Sequence, residues 1–357
     1  MNGFKAGFRQ GSPLVLVAAL ALLLPALLGI QWFFTSGAWS AVPMKFWVRN
    51  STDDFTVVSW TVGANVRHPP KTPAVYLLGG SGAREAITSG DSLAAEIEML
   101  GGPKAGAWDL GSSGQDFAQS LAIADNVPDS PAWILIGLNL GRFIRAPGAN
   151  MKQVVGRDLL LKSAFLQKYV ARQYGRYRVS RTILPGIFSY LTSYVKEYDS
   201  ELIAGSFSTR EYERHRYSIT WIHSPKQKEK LLKIWNEDRY PIFARNLAFN
   251  LAMLEQLLIR CRERGLHPVL LELPINRALI GERLDYAASQ YQKPAQALAA
   301  KYRIPYVDFN GELELKNTDF LDLSHLVEPG RVIWQRRLAE EMVQLMGADG
   351  KGAGTPP

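Results

Sequence analysis

The chain has 357 residues, 47% of them hydrophobic and 21% charged. That is long enough to bury a core of its own and too apolar for an intrinsically disordered protein. The net charge of +8 is concentrated rather than spread, since Arg142 to Arg245 holds 20 Lys/Arg against 9 Asp/Glu. With Cys261 as its one cysteine, the chain contains no internal disulfide.

From the amino end, Leu14 to Phe34 is apolar except for Gln31, enough to cross about 30 Å of hydrocarbon as a helix. Pro25 within it is tolerable in a membrane helix. Lys5 and Arg9 precede it with no acidic residue, which predicts a cytoplasmic amino end and export of everything that follows. A cleaved signal peptide is the competing reading, because Ala38-Trp39-Ser40 offers a cleavage site. The apolar run is longer than a usual signal core and favours an uncleaved anchor. Residues 1–12 are then a cytoplasmic end, 13–35 the anchor and 36–72 an irregular linker, within which Phe55 to Thr61 could form a strand.

Val75 to Gly80 reads as a buried strand, and Gly79-Gly80-Ser81-Gly82 as the tight turn after it. Ala83 to Ile87 then opens a helix, which puts Ser81 where backbone N–H groups and a helix dipole favour developing negative charge. An ordinary serine in a strand-to-helix turn is the competing reading of this stretch alone. A helix from Asp91 to Leu100, a strand at Ala107 to Leu110, a helix from Phe117 to Ala124 and a strand at Ala132 to Gly137 follow. Apolar strands that each end in a Gly-rich polar turn predict a parallel sheet.

Residues 145–240 interrupt this alternation with a basic, mostly helical insertion, in which Asp158 to Ala171 and Gly186 to Tyr198 show helical spacing. Anionic lipid head groups or an anionic envelope polymer suit its charge. A solvated basic face without a specific partner is the alternative. Nucleic acid is not an expected partner of an exported chain. The alternation resumes with a helix from Ala244 to Arg264, which carries Cys261 as a packed thiol. Further on come strands at His267 to Leu273 and Ile304 to Phe309, and helices at Tyr286 to Tyr302 and Val332 to Met346. The α/β domain thus spans 73–346, and 347–357 is a flexible tail.

The turns at the strand ends form a set that a parallel sheet gathers at one edge. Ser81 follows the first strand, Gly114 the second, Asn139 the third, and Asp322 with His325 the fifth. Acyl transfer needs a nucleophile, a base, a carboxylate to orient the base, and donors for an oxyanion. All four are present. Arg84 could bind an acidic substrate group or pair with a nearby carboxylate. His68 and His267 read as structural, and His215 and His223 as surface residues. No metal-ligand spacing or phosphate loop is evident, so no cofactor is expected.

These blocks resemble the SGNH hydrolase superfamily, the GDSL esterases and lipases. Ser81 matches the first block, Gly114 the second, Gly137-Leu138-Asn139 the third and Asp322-Leu323-Ser324-His325 the last. The resemblance implies a three-layer, flavodoxin-like fold of about five parallel strands. It also implies Ser81 as nucleophile, His325 as base and Asp322 as its orienter. The oxyanion hole would be the Ser81 and Gly114 N–H groups with the Asn139 amide. The first block lacks the family's Asp. With the anchor, this is closer to envelope members such as the DltD-type and alginate O-acetylation proteins. Gly90-Asp91-Ser92-Leu93 spells the family's other name but has no strand before it, so Ser92 or Asp91 is read as a helix cap. The expected activity is hydrolysis or transfer of an acyl group, acetyl foremost, on an envelope carbohydrate or polymer. An accessory role docked to a membrane-bound acyltransferase is the alternative.

Overall fold

The computed structural model describes residues 13–48, 53–129, 131–146, 161, 163–173, 192 and 222–352. The first helix, α1 (Pro13–Thr35), keeps Pro25 inside it, and its Leu14–Phe34 segment has a mean hydropathy of 2.5 and contains no fully buried residue. It is long and apolar enough to span a membrane, as a signal sequence also is. At its foot Phe33 and Phe34 pack on Trp47, which meets Trp39 edge-on.

The next segment differs from expectation. Phe55 to Thr61 lies inside a helix, α2 (Asp54–Arg67), so the stretch read as an irregular linker is structured. Its β-branched residues suggested a strand, but Val58 and Val62, four apart, share one helix face and enter the core under the sheet. Tertiary burial outweighs strand propensity here.

The sheet then begins with β1 (Ala74–Leu78), α3 (Ser81–Arg84), α4 (Gly90–Met99), β2 (Gly106–Asp109), α5 (Phe117–Asn126) and β3 (Ala132–Leu138). After α6 (Ala164–Gln173) come α7 (Pro225–Ile234), a π-helical turn at Trp235–Arg239 and α8 (Tyr240–Glu263). A helical run thus starts inside the expected insertion. The chain finishes with β4 (His267–Glu272), α9 (Arg277–Ile280), α10 (Asp285–Tyr302), β5 (Tyr306–Val307) and α11 (Glu328–Gly352). Helix α11 takes in 347–352, half of the segment expected to be a flexible tail. Extending a helix adds a hydrogen bond per residue without a new nucleus. The expected helix at Gly186 to Tyr198, apart from Thr192, lies outside the described residues, as do His215 and much of the basic insertion.

Among the described residues all strand pairs are parallel, in the order β2-β1-β3-β4-β5. This is the doubly wound, flavodoxin-like order, whose ligand crevice lies where the strand order reverses. Side chains alternate across the sheet. Tyr76, Leu78, Ile134 and Ile136 face a layer containing α2, α5, α8 and α10. Val75, Leu77, Leu135 and Leu271 face α4 and α11. The sheet is covered on both sides, which explains its near-continuous apolar strands. Cys261, fully buried in this core, has its thiol pushed up to about 12 by burial.

Candidate active site

Beyond β1 and β2 the backbone keeps pairing: Leu110 N–H donates to Leu77 O and Ser112 N–H to Gly79 O. Leu273 N–H likewise donates to Leu138 O on the other side. These bonds hold the strand-end turns together. Ser81 opens α3, which is a single turn ending at Arg84. Its dipole is therefore slight, and backbone N–H groups rather than a macrodipole must supply any anion stabilisation.

Ser81, Asp322 and His325 meet. His325 Nε2 lies 2.8 Å from Ser81 Oγ. His325 Nδ1 lies 2.8 and 2.9 Å from the two Asp322 carboxylate oxygens. With the proton on Nδ1, the ring donates to Asp322 and leaves Nε2 to accept from the serine hydroxyl. Asp322 Oδ1 also accepts the N–H groups of Ser324 and His325, so a short turn presents aspartate and histidine together. Burial alone would raise the Asp322 carboxyl, but hydrogen bonding and charge from His325, with the two backbone donors, hold it down at about 2.

Gly114 and Asn139 line the same cleft as Ser81 and His325, a space of about 350 Å³. Asn139 Oδ1 accepts Arg142 N–H at 3.1 Å, which turns the amide nitrogen the other way. A Cβ built on Gly82, next to Ser81, would lie 2.8 Å from Asn139 Nδ2. Gly114 has φ +69, and a Cβ there would sit 2.1 Å from Arg145 Nη2. The left-handed backbone is what requires glycine, since the end of the Arg145 side chain could move aside.

A buried network joins the Gly114 and Asn139 turns. Arg142, fully enclosed, donates to Gly137 O at 2.8 Å and to Ser120 Oγ at 2.6 Å. Ser120 Oγ donates to Gln115 Oε1, and Gln115 Nε2 to Leu110 O. Burial pulls the Arg142 guanidinium down to about 9, opposed by the charge of Asp116. Opposite, the buried Lys228 ammonium of α7 donates to Asn317 O, Asn317 Oδ1 and Phe320 O. It fixes the segment leading to Asp322.

Arg84 does not line the cleft. Its guanidinium pairs with Asp54 and Glu85, the carboxylate-paired alternative of the sequence reading. The cations that line the cleft are instead Arg142, which the buried network engages, with Arg145 and Arg239, and Trp235, Ile275 and Leu323 add apolar lining. Arg145 was within reach of sequence reasoning, six residues beyond Asn139 in the same strand-end turn. Arg239 and Lys228 carried no signal, because their positions depend on how α7 packs back across the sheet edge.

Ser92 is remote from this centre and accepts a hydrogen bond from Gln335 Nε2 at 2.9 Å. The cap of α4 is Ser89, whose Oγ accepts Ser92 N–H, rather than Ser92 or Asp91. Ser89 wins because its extended backbone precedes the first turn. His223 is half-buried rather than on the surface, its N–H donating to Leu321 O. His267 stacks on Trp133 and His68 is exposed. Among the described residues no group of three or more His, Cys, Asp or Glu could hold a metal ion.

No protein-family model matches the chain, and no curated protein matches it. Among solved structures it is similar to a lipase/acylhydrolase from Enterococcus faecalis, at 11% identity and a TM-score of 0.36, over 76% of this chain and 96% of that one. It is also similar to a catalytic mutant of Axe2, an acetylxylan esterase from Geobacillus stearothermophilus. There the identity is 12% and the TM-score 0.38, over 78% of this chain and 95% of that one.

Proposed function

We propose that this protein is a serine esterase or O-acyltransferase, held at a membrane by α1, with its α/β domain outside the cytoplasm. The observation that carries the reading is the hydrogen-bonded chain from Ser81 through His325 to Asp322 at a cleft also lined by Gly114 and Asn139. In the proposed reaction Ser81 Oγ attacks the acyl carbonyl carbon as its proton passes to His325 Nε2. Asp322 stabilises the resulting imidazolium. The Ser81 and Gly114 N–H groups and the Asn139 amide receive the oxyanion. Collapse breaks the acyl C–O bond, and His325 returns the proton to the leaving alcohol. Water or a second hydroxyl then takes the acyl group by the reverse sequence.

The proposed substrate is an O-acyl group, acetyl foremost, on an acidic cell-envelope carbohydrate. Lys5 and Arg9, with no acidic residue ahead of the apolar α1, support the location. Arg145 and Arg239 in the cleft support a substrate with negative charge: among the described residues neither forms a salt bridge, Arg145 acts only at longer range on the buried Asp116, and the one cleft carboxylate, Asp322, is engaged by His325. The test is acetyl-ester turnover by the full chain in detergent, beside Ser81→Ala. Turnover abolished in Ser81→Ala supports the reading. Folded wild type without turnover on acetylated neutral or acidic oligosaccharides would sink it in favour of the accessory role beside a membrane acyltransferase.

A further inference from the structure

The site rests on a residue from ahead of the sheet. Asp54 stands at the start of α2 and is only 3% exposed. One of its oxygens, Oδ2, accepts Ser113 N–H at 3.0 Å and pairs with Arg84 Nη1. Ser113 immediately precedes Gly114, and Arg84 ends the single turn that Ser81 begins. A single carboxylate oxygen therefore ties the turn after β1 to the turn after β2. The pairing continues from Arg84 Nε to Glu85 at 2.7 Å, and from Glu85 to Arg331 Nη2 at 2.5 Å. Arg331 is fully buried in α11, six residues beyond His325. Alternating charges thus connect the element before the sheet with the nucleophile turn and with the helix that follows the histidine.

Asp54 is itself firmly seated. Trp60 of the same helix donates Nε1–H to Val42 O at 2.9 Å, and Val42 closes the short turn that carries Trp39. Trp39 meets Trp47, which packs on Phe33 and Phe34 at the foot of α1. The support for the two turns is therefore continuous with the base of the apolar helix.

We infer that Asp54 is a positioning residue for the proposed acyl transfer, one that holds the Gly114 N–H in register with Ser81. It touches neither cleft nor substrate and acts through Ser113 and Arg84. Physically, a buried carboxylate is retained only where donors compensate its lost hydration. Two of the groups that compensate it, Ser113 N–H and Arg84, belong to the two turns whose relative placement would set the oxyanion hole. Misplacement by about 1 Å can cost about 10²-fold in rate. The inference rests on the proposed ester chemistry.

The test uses the full chain in detergent micelles, with Asp54→Ala, Asp54→Asn and Ser81→Ala beside wild type. It reads p-nitrophenyl acetate turnover, inhibition by a boronic acid that mimics the tetrahedral intermediate, and thermal melting. Asp54→Ala should lower kcat by about 10- to 100-fold with KM within about twofold, and weaken boronate inhibition in parallel. Asp54→Asn should recover most of kcat, because its amide oxygen can still accept Ser113 N–H. Equal kcat in Asp54→Ala and wild type would overturn the inference. So would equal kcat losses in Asp54→Ala and Asp54→Asn accompanied by lowered melting, which is the signature of a lost ion pair alone. Should Asp54→Ala not fold, Asp54→Glu serves, since it keeps the charge but displaces the oxygen. Reduced kcat with wild-type melting supports the inference, and full kcat overturns it. Turnover that needs Ser81 but not Asp54 removes this inference only. Wild type without turnover removes the ester chemistry as well.

Discussion

His325 Nε2 stands 2.8 Å from Ser81 Oγ, although 244 residues separate the two in the chain. No comparable partner serves Ser92, whose hydroxyl is held by Gln335. A fluorophosphonate should therefore label wild type and Ser92→Ala alike and leave Ser81→Ala unlabelled, as read by intact mass. Labelling that survives Ser81→Ala and disappears in Ser92→Ala would move the nucleophile to the other motif.

The depressed Asp322 carboxyl makes a signed prediction. Its folded value of about 2 lies below the ordinary 3.8, so its contribution to stability is present above about 3.8 and is lost as pH falls through about 2. Melting temperature should decline more steeply over that window in wild type than in Asp322→Asn. Near neutral pH Asp322→Asn should lower kcat by a factor on the order of 10⁴, because the amide no longer holds the required histidine tautomer.

Glu272 behaves in the opposite sense. Burial pushes its carboxyl up to about 7, against hydrogen bonds from Tyr291 and Tyr306 that favour the ionised form. A raised folded value means stability that is full below the ordinary 4.5 and is lost as pH rises through about 7. Glu272→Gln should flatten that loss, so its melting temperature relative to wild type should improve between about pH 5 and pH 8. A difference independent of pH would contradict the assignment.

Lys228 donates to three acceptors in the segment that leads to Asp322. Lys228→Met keeps the stem but strands those oxygens, and should cost about 1–3 kcal/mol of unfolding free energy. Denaturant unfolding measures the first effect. If the lysine also fixes the Asp322–His325 turn, kcat should fall beyond any loss of folded fraction.

Asn139→Ala removes the one side-chain donor assigned to the oxyanion. Turnover should fall by about 10² to 10³ with the melting temperature within a few degrees of wild type. Unchanged kcat would remove Asn139 from the site.

Much of this was legible locally. The apolar strands are near-continuous because both sheet faces are covered, and each strand ends in turn residues that announce themselves by type. Ser81, Gly114, Asn139, Asp322 and His325 could be named because parallel topology brings every strand end to one edge. The boundaries of β5 and α11, and the helix at 54–67, were less legible, since they depend on what packs against them.

The sequence by itself determined an apolar amino-terminal segment long enough to span a membrane, a parallel α/β sheet and the residues at its carboxyl edge. These follow from short-range patterns, namely hydrophobic period, glycine turns and the three-residue spacing of Asp322 and His325. Only the tertiary structure decided which cations face the cleft. Arg84 is claimed by Asp54 and Glu85, whereas Arg145 and Arg239 line the open space. It also placed Asp54 between the turns that carry Ser81 and Ser113, and Lys228 against the segment that leads to Asp322. The physical reason is that a buried charge takes its role from the groups that compensate it. Asp54 and Arg84 stand 30 residues apart in the chain, and Lys228 and Asn317 stand 89 apart.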